Sequence, residues 1–215
     1  MIKILDNAFA RAMMKLRQAK EDPTMKRKAK KLIAILLAIS IAALTACGST
    51  AQEDEFAAAI DDEAVSRSED DYDPDNKYID DEAIALADAI STAEGALMAQ
   101  TAAALVNEER TEQGLSELTW SDALTQAAAV RAQECETSFS HTRPDGTAWW
   151  TVNSDLMYGE NLAYNYNSAE AVVEAWMNSE GHRANILKAG YVTIGIACYQ
   201  TAAGKWYWAQ EFGYF

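Results

Sequence analysis

The sequence predicts a mixed α/β domain, a sheet covered by helices, preceded by a signal peptide and a disordered acidic linker. Three observations lead there. Ser121 is followed by Leu124, Ala127, Ala128 and Cys135 at helical spacing, as a capped helix with one apolar face requires. Val192, Ile194, Ile196 and Cys198 alternate with Thr193, Gly195, Ala197 and Tyr199, which is the two-residue period of a half-buried strand. All six tryptophans lie between Trp120 and Trp208, so only that part of the 215-residue chain has the aromatic content of a packed core. Helices lying before and between strands favour layers of helix against sheet.

Charge divides the chain into four. The 33 acidic residues outnumber the 18 basic ones, but unevenly. Residues 1–24 are mixed, with net charge +2, and read as upstream sequence translated in frame from a misassigned start codon; a genuinely long basic leader is the alternative. Residues 25–46 have the form of a secretory signal, since Met25-Lys-Arg-Lys-Ala-Lys-Lys31 precedes an apolar run, Leu32 to Leu44, too short to span a bilayer comfortably. The run ends in Leu44-Thr-Ala-Cys47, which resembles a bacterial lipobox, so Cys47 is the expected lipid attachment site and an acylated cysteine the expected membrane anchor. Residues 47–95 read as a flexible acidic tether: they lack Trp, and Ser68-Glu-Asp-Asp-Tyr-Asp-Pro-Asp75 is the densest charge run. Residues 96–215 form the expected globular domain, with net charge −8 and no basic stripe, which disfavours nucleic acid as a partner.

Within the domain the elements follow in order. A first helix is expected from near Ala96 to Gln113, stopped by Gly114, and a second after Ser121, with Cys135 pointing inward. A third, starting near Ser168, carries Val172, Trp176 and Ser179 at i, i+4 and i+7. Gly181 is expected to end it, projecting His182 from the bend and starting a short helix from His182 to Leu187. The strand ending near Cys198 then turns over Thr201 to Lys205 into a second strand, Trp206 to Phe212. Export places the domain in an oxidising setting with two cysteines left after lipidation, so a Cys135–Cys198 disulfide is expected, two buried free thiols being the alternative. It would stabilise by roughly 3 to 4 kcal/mol on the chain-entropy model.

Four stretches concentrate the chemistry. They are Phe139-Ser-His-Thr-Arg-Pro-Asp-Gly-Thr147, Gly159-Glu-Asn-Leu-Ala163, Ala175-Trp-Met-Asn-Ser-Glu-Gly-His-Arg-Ala-Asn-Ile-Leu187 and Trp208-Ala-Gln-Glu-Phe-Gly213, and the first and third hold the only two histidines of the chain. Together and in this order they resemble the CAP superfamily of cysteine-rich secretory, antigen-five and pathogenesis-related proteins, in its bacterial SCP-like extracellular form. The resemblance covers roughly Ala96 to Phe215 and implies an α-β-α sandwich. It also implies a cleft lined by two histidines and two glutamates, with His141, Glu160 and His182 at three of the places. The fourth departs from the pattern, because Ser179 stands where a glutamate is common and Glu180 follows one residue later.

Two histidines and a glutamate from separate stretches suit a divalent-metal site, an acid/base pair, or a hydrogen-bonded structural knot. As a metal site, His141, His182 and Glu160 would favour zinc over magnesium, with the two histidines approaching across one cleft. As a structural knot, His182 and Glu160 would satisfy backbone groups left open at the bend. Arg183 and Asn185 read as packing and capping residues, and Trp149 and Trp150 as core residues or a ligand platform. Two function classes follow. One is a lipid-anchored extracellular binding module for a peptide, glycan or lipid. The other is a metal-dependent or serine-type hydrolase or protease at the cell surface, in which His141 or His182 activates water, Ser179 or Ser140. Neither a Gly-x-Ser-x-Gly elbow nor a His-Glu-x-x-His motif is present, which favours binding.

Overall fold

The computed structural model describes residues 58–60, 64–90 and 92–215, all within the compact unit Glu55–Phe215. The expected signal segment and the Cys47 lipid site lie outside the described residues. Two short strands come first, Ala59–Ile60 (β1) and Val65–Ser66 (β2), then a helix, Asp81–Ile90 (α1), whose start is capped by Asp80 accepting from Ala83 N–H at 3.0 Å. Thr92 caps the long helix Ala93–Glu112 (α2), its Oγ1 accepting from Gly95 N–H at 3.1 Å. Gly114, at φ 77°, ends that helix as expected, with Leu115 N–H returning to Arg110 O at 3.0 Å. Strand Thr119–Trp120 (β3) leads into helix Asp122–Thr137 (α3), capped by Ser121 through Leu124 N–H at 3.3 Å. A 3-10 turn at Trp149–Val152 precedes strand Gly159–Tyr164 (β4), and helices Ala169–Asn178 (α4) and Glu180–Ile186 (α5) follow. The chain closes with the hairpin Thr193–Gln200 (β5) and Trp206–Gly213 (β6).

The strands form one sheet in the order β1-β4-β6-β5-β3, with β2 also on β4. Only β3 runs parallel to its neighbour, β5. Every residue of β6 is buried, as a strand covered on both faces must be. Its alternation sorts the two cores. Trp206, Trp208 and Phe212 join α2, α4 and α5 residues such as Val106, Trp176 and Ile186, while Tyr207 and Ala209 join Leu124, Ala128 and Cys135 of α3 and Ala87 of α1. This is the expected α-β-α sandwich. Trp176 and Trp208 meet edge to face at 6.5 Å, a geometry worth about 0.5–1.5 kcal/mol beyond the area buried.

Three expectations are corrected. Part of the stretch read as a tether is built into the domain: β1 and β2 extend the sheet, Ala87 is fully buried, and Asp80 binds Arg143 Nη2 at 2.8 Å. Gly181 does not end α4; the break falls at Ser179, in extended backbone at φ −93° and ψ 132°, and Gly181 lies inside α5. The glycine there serves packing, because a Cβ would sit 3.1 Å from the Cβ of Ala64. The third correction is the disulfide: Cys135 and Cys198 are both free. Strand alternation puts Cys198 with Ile194 and Ile196 on the α2 side, its thiol donating to Gly95 O at 3.3 Å, whereas Cys135 faces the other core from α3. The sheet separates them.

Candidate functional site

The site is built where β4 turns successive side chains to opposite faces. Glu160 points toward α3. Leu124, Ala127, Ala128, Arg131 and Cys135 share the buried face of that helix, so Arg131 arrives at the sheet fully buried. Its Nε donates to Glu160 Oε2 at 2.8 Å, and its Nη2 donates to Glu160 Oε1 at 3.3 Å and to Ser140 O at 2.6 Å. The remaining nitrogen, Nη1, binds Glu134, which also accepts from Arg143 Nε at 2.9 Å. Charges of alternating sign thus run from the sheet to the α1 cap: Glu160, Arg131, Glu134, Arg143, Asp80.

His141 closes the other side of Glu160, with Nδ1 2.7 Å from Oε1 and a side chain 11% exposed. An ionised carboxylate can only accept, so Nδ1 carries the proton in this pair. Burial alone would raise the Glu160 carboxyl, but Arg131 and His141 outweigh it and hold it at about 2. Glu211, directly across on β6, is pushed well above the usual carboxylate range by burial and by the Glu160 charge. Its environment favours the protonated form beside the Glu160 carboxylate.

Asn161 points the other way. Its Nδ2 donates to Gln210 Oε1 at 2.8 Å and to His182 O at 3.1 Å, fixing α5 to the sheet. His182 is fully buried and its Nδ1 lies 2.7 Å from Ser179 Oγ. Asn185 Nδ2 reaches Val65 O at 3.1 Å, Asn161 Oδ1 at 3.1 Å and Glu160 O at 3.3 Å. His141 thus meets Glu160, and His182 meets Ser179.

The expected three-ligand metal site of His141, His182 and Glu160 does not fit this arrangement. Both oxygens of Glu160 are taken by Arg131 and His141, and a cation placed there would face a buried guanidinium. Among the described residues, no group of three or more His, Cys, Asp or Glu side chains is arranged to hold a metal ion. Asn185, read as a local capping residue, instead ties three backbone and side-chain groups together. Trp149 packs in the core, whereas Trp150 carries the Arg67 guanidinium 4.4 Å above its ring. Sequence reasoning missed Arg131, Glu134, Arg143, Glu211 and the Asn161–Gln210 pair. Two signals were readable: Arg131 falls seven residues after Leu124 on the apolar face of its helix, and Glu211 interrupts the apolar run Trp206 to Phe212.

Residues 103–212 match the family described as CAP, the cysteine-rich secretory protein family. The chain is 36% identical over 115 residues to the uncharacterized protein YkwD of Bacillus subtilis, a match covering 50% of this chain and 44% of that protein. It is 31% identical over 102 residues to the uncharacterized membrane protein YlbC of the same organism, covering 43% of this chain and 29% of that protein. The chain thus spans less than half the length of each of these relatives. Among solved structures, it is similar to an extracellular protein containing a SCP domain from Bacillus anthracis, with TM-score 0.47 and 26% identity over 53% of this chain and 39% of that one. It is also similar to a cysteine-rich secretory protein from Staphylococcus aureus, with TM-score 0.48 and 21% identity over 58% of this chain and 41% of that one.

Proposed function

Because the chain belongs to the cysteine-rich secretory protein (CAP) family, we propose that it is an extracellular, lipid-anchored binding module and not a hydrolase. The Arg131–Glu160 pair carries this reading. A catalytic carboxylate must exchange a proton or meet a substrate, whereas Glu160 is fully buried and neutralised inside the fold by a guanidinium. Its chemistry is that of a strut holding α3 and the His141 loop to the sheet. Arg131 also takes Ser140 O, so the loop carrying His141 is positioned by the same guanidinium. Anchoring rests on Cys47: a palmitate analogue should label the chain, and label persisting in Cys47→Ser would remove the lipid from this reading.

The hydrolase reading draws on one observation. Ser179 Oγ and His182 Nδ1 are 2.7 Å apart, the spacing of a nucleophile and its base. Against it, His182 is buried and Ser179 is the residue at which α4 ends and α5 begins. A fluorophosphonate probe decides between the two. No labelling of wild type is expected, and labelling that disappears in both Ser179→Ala and His182→Ala would overturn the binding reading.

A further inference from the structure

The outer edge of β4 is occupied by the chain's own residues. Val65 and Ser66 pair antiparallel with Glu160 and Gly159, and Ala59 and Ile60 with Tyr164 and Ala163. These ladders are two residues each, against six paired residues between β4 and β6. Strands so short have little stability of their own. They also come from the acidic stretch whose composition is least able to offset the entropy of ordering. The family match begins at residue 103, so β4, α5 and the Trp150 turn all lie within it, while β1 and β2 lie outside.

What the edge accepts is readable from its occupant, position by position. Ala64 lies against Gly181, where a Cβ on the glycine would be only 3.1 Å away, so there is room for a small side chain and no more. Val65 stands opposite Glu160 and packs on the α3-side core, while its carbonyl accepts from Asn185 Nδ2 at 3.1 Å. Ser66 is exposed. Arg67 is held most elaborately: its guanidinium lies 4.4 Å from the Trp150 ring centroid and 4.9 Å from that of Tyr158, and Nη1 donates to Ser154 O at 3.0 Å and Met157 O at 3.2 Å. Arg67 N–H adds a bond to Tyr158 O at 2.7 Å, continuing the pairing beyond β2. An aromatic pair with two convergent carbonyls is a receptor for a guanidinium.

We propose that the β4 edge, with Gly181, Asn185, Trp150 and Tyr158, is a strand-accepting site for an extended peptide, and that residues 64–67 are its resident occupant. The peptide it fits has four consecutive positions: small, β-branched apolar, a hydroxyl that can bond Tyr191 as Ser66 does, arginine. Backbone pairing with β4 supplies affinity and the Gly181 and Trp150/Tyr158 positions supply selectivity, as in other strand-addition sites. This rests on the binding-module reading and names the ligand class of that module. The tethered segment competes with an incoming peptide at an effective concentration in the millimolar range, on the order expected of a short linker. The site is therefore masked until a better-matched peptide displaces the segment.

The test is a titration with a fluorescent synthetic peptide of residues 58–67, Ala-Ala-Ile-Asp-Asp-Glu-Ala-Val-Ser-Arg. Full-length chain carrying Val65→Asp and Arg67→Ala, which opens the edge, should bind it at least about tenfold tighter than wild type. Adding Trp150→Ala to the opened chain, or replacing the peptide's arginine by alanine, should abolish that gain. Equal binding by opened and wild-type chains, or no discrimination against the alanine peptide, would overturn the proposal. Hydrogen exchange on wild type guards against misfolding of the variants. Excess peptide should speed exchange of the Val65 and Arg67 amides while β4 stays protected, and unchanged exchange counts against the proposal. The fluorophosphonate result is independent of all these arms, so failure of the peptide site and failure of the non-catalytic reading are separately visible.

Discussion

Glu211 stands directly across from Glu160 in the β4–β6 ladder, and both residues are completely buried. Two neighbouring carboxyls in a dry interior cannot both be ionised without large cost. The fold resolves this asymmetrically. Arg131 and His141 both reach Glu160 and hold it ionised, while burial and that charge push the Glu211 carboxyl toward its protonated form.

Stability should therefore fall as pH rises above the ordinary carboxylate value of 4.5, through Glu211. Its folded pKa lies above the ordinary 4.5, so the stability it contributes is complete below that value and is lost as pH climbs toward the folded one. Glu160 has the opposite sign: its contribution is present above the ordinary 4.5 and is lost as pH falls toward about 2. Glu211→Gln keeps the neutral shape and cannot ionise. Melting temperatures at about pH 5 and about pH 8 should differ less in this variant than in wild type. Identical pH dependence in the two proteins would refute the protonated state of Glu211.

Removing Arg131 alone should be among the costliest polar substitutions. Arg131→Met removes the guanidinium that neutralises the buried Glu160 charge, and a loss of about 3–5 kcal/mol is expected. Arg131→Met combined with Glu160→Leu removes both charges and should recover much of that loss, because a well-packed apolar pair often substitutes for a buried ion pair. Urea unfolding of wild type, both single variants and the double variant gives the coupling. Additive losses would mean that the pair contributes nothing as a pair.

Much of this architecture was legible because its signals are local. Ser121 and Ser168 each cap a helix by accepting a backbone N–H three residues on, and Gly114 adopts the positive φ that its place at a helix end implied, although the helix it ends starts at Ala93, capped by Thr92, and not near Ala96. The alternation in β5 marked a true strand, though Val192, counted with it, falls just outside and is 46% exposed. His141 and Glu160, which the motifs named with His182 for one cleft, lie 2.7 Å apart. What escaped depended on which face of the sheet each helix covers. That choice separates Cys135 from Cys198 and places His182 beside Asn161. The pairing of Val65 with Glu160 was hidden for another reason: it joins residues 95 positions apart, and the acidic surroundings of Val65 gave no strand signal.

The two domain thiols should be reduced and slow to react. Burial pushes the Cys135 thiol far up and the Cys198 thiol to about 12, so little reactive thiolate exists at neutral pH. In a Cys47→Ser chain kept free of reductant, thiol titration should find two slow groups in the native state and two fast ones after denaturation. Fewer than two after denaturation would restore the disulfide.

Gly195 should be the least replaceable glycine of the sheet. On β5 it passes beneath the start of α3, where an added Cβ would lie 2.3 Å from both Leu124 C and Thr125 N. Those are backbone atoms of a capped helix, so no side-chain rotation relieves the overlap. The helix would have to lift from the sheet. Arg131 sits on that same helix, and its hydrogen bonds to Glu160 do not tolerate an ångström of displacement. Gly195→Ala should therefore lose more than the roughly 1–3 kcal/mol usual for overpacking, since packing and the buried ion pair fail together. Gly159→Ala is the informative comparison, because its Cβ would meet the Tyr191 ring and hydroxyl, at 2.4 Å, which belong to a side chain. Chemical denaturation should rank Gly195→Ala well below Gly159→Ala, and the reverse order would show that α3 is not held against β5 as closely as described.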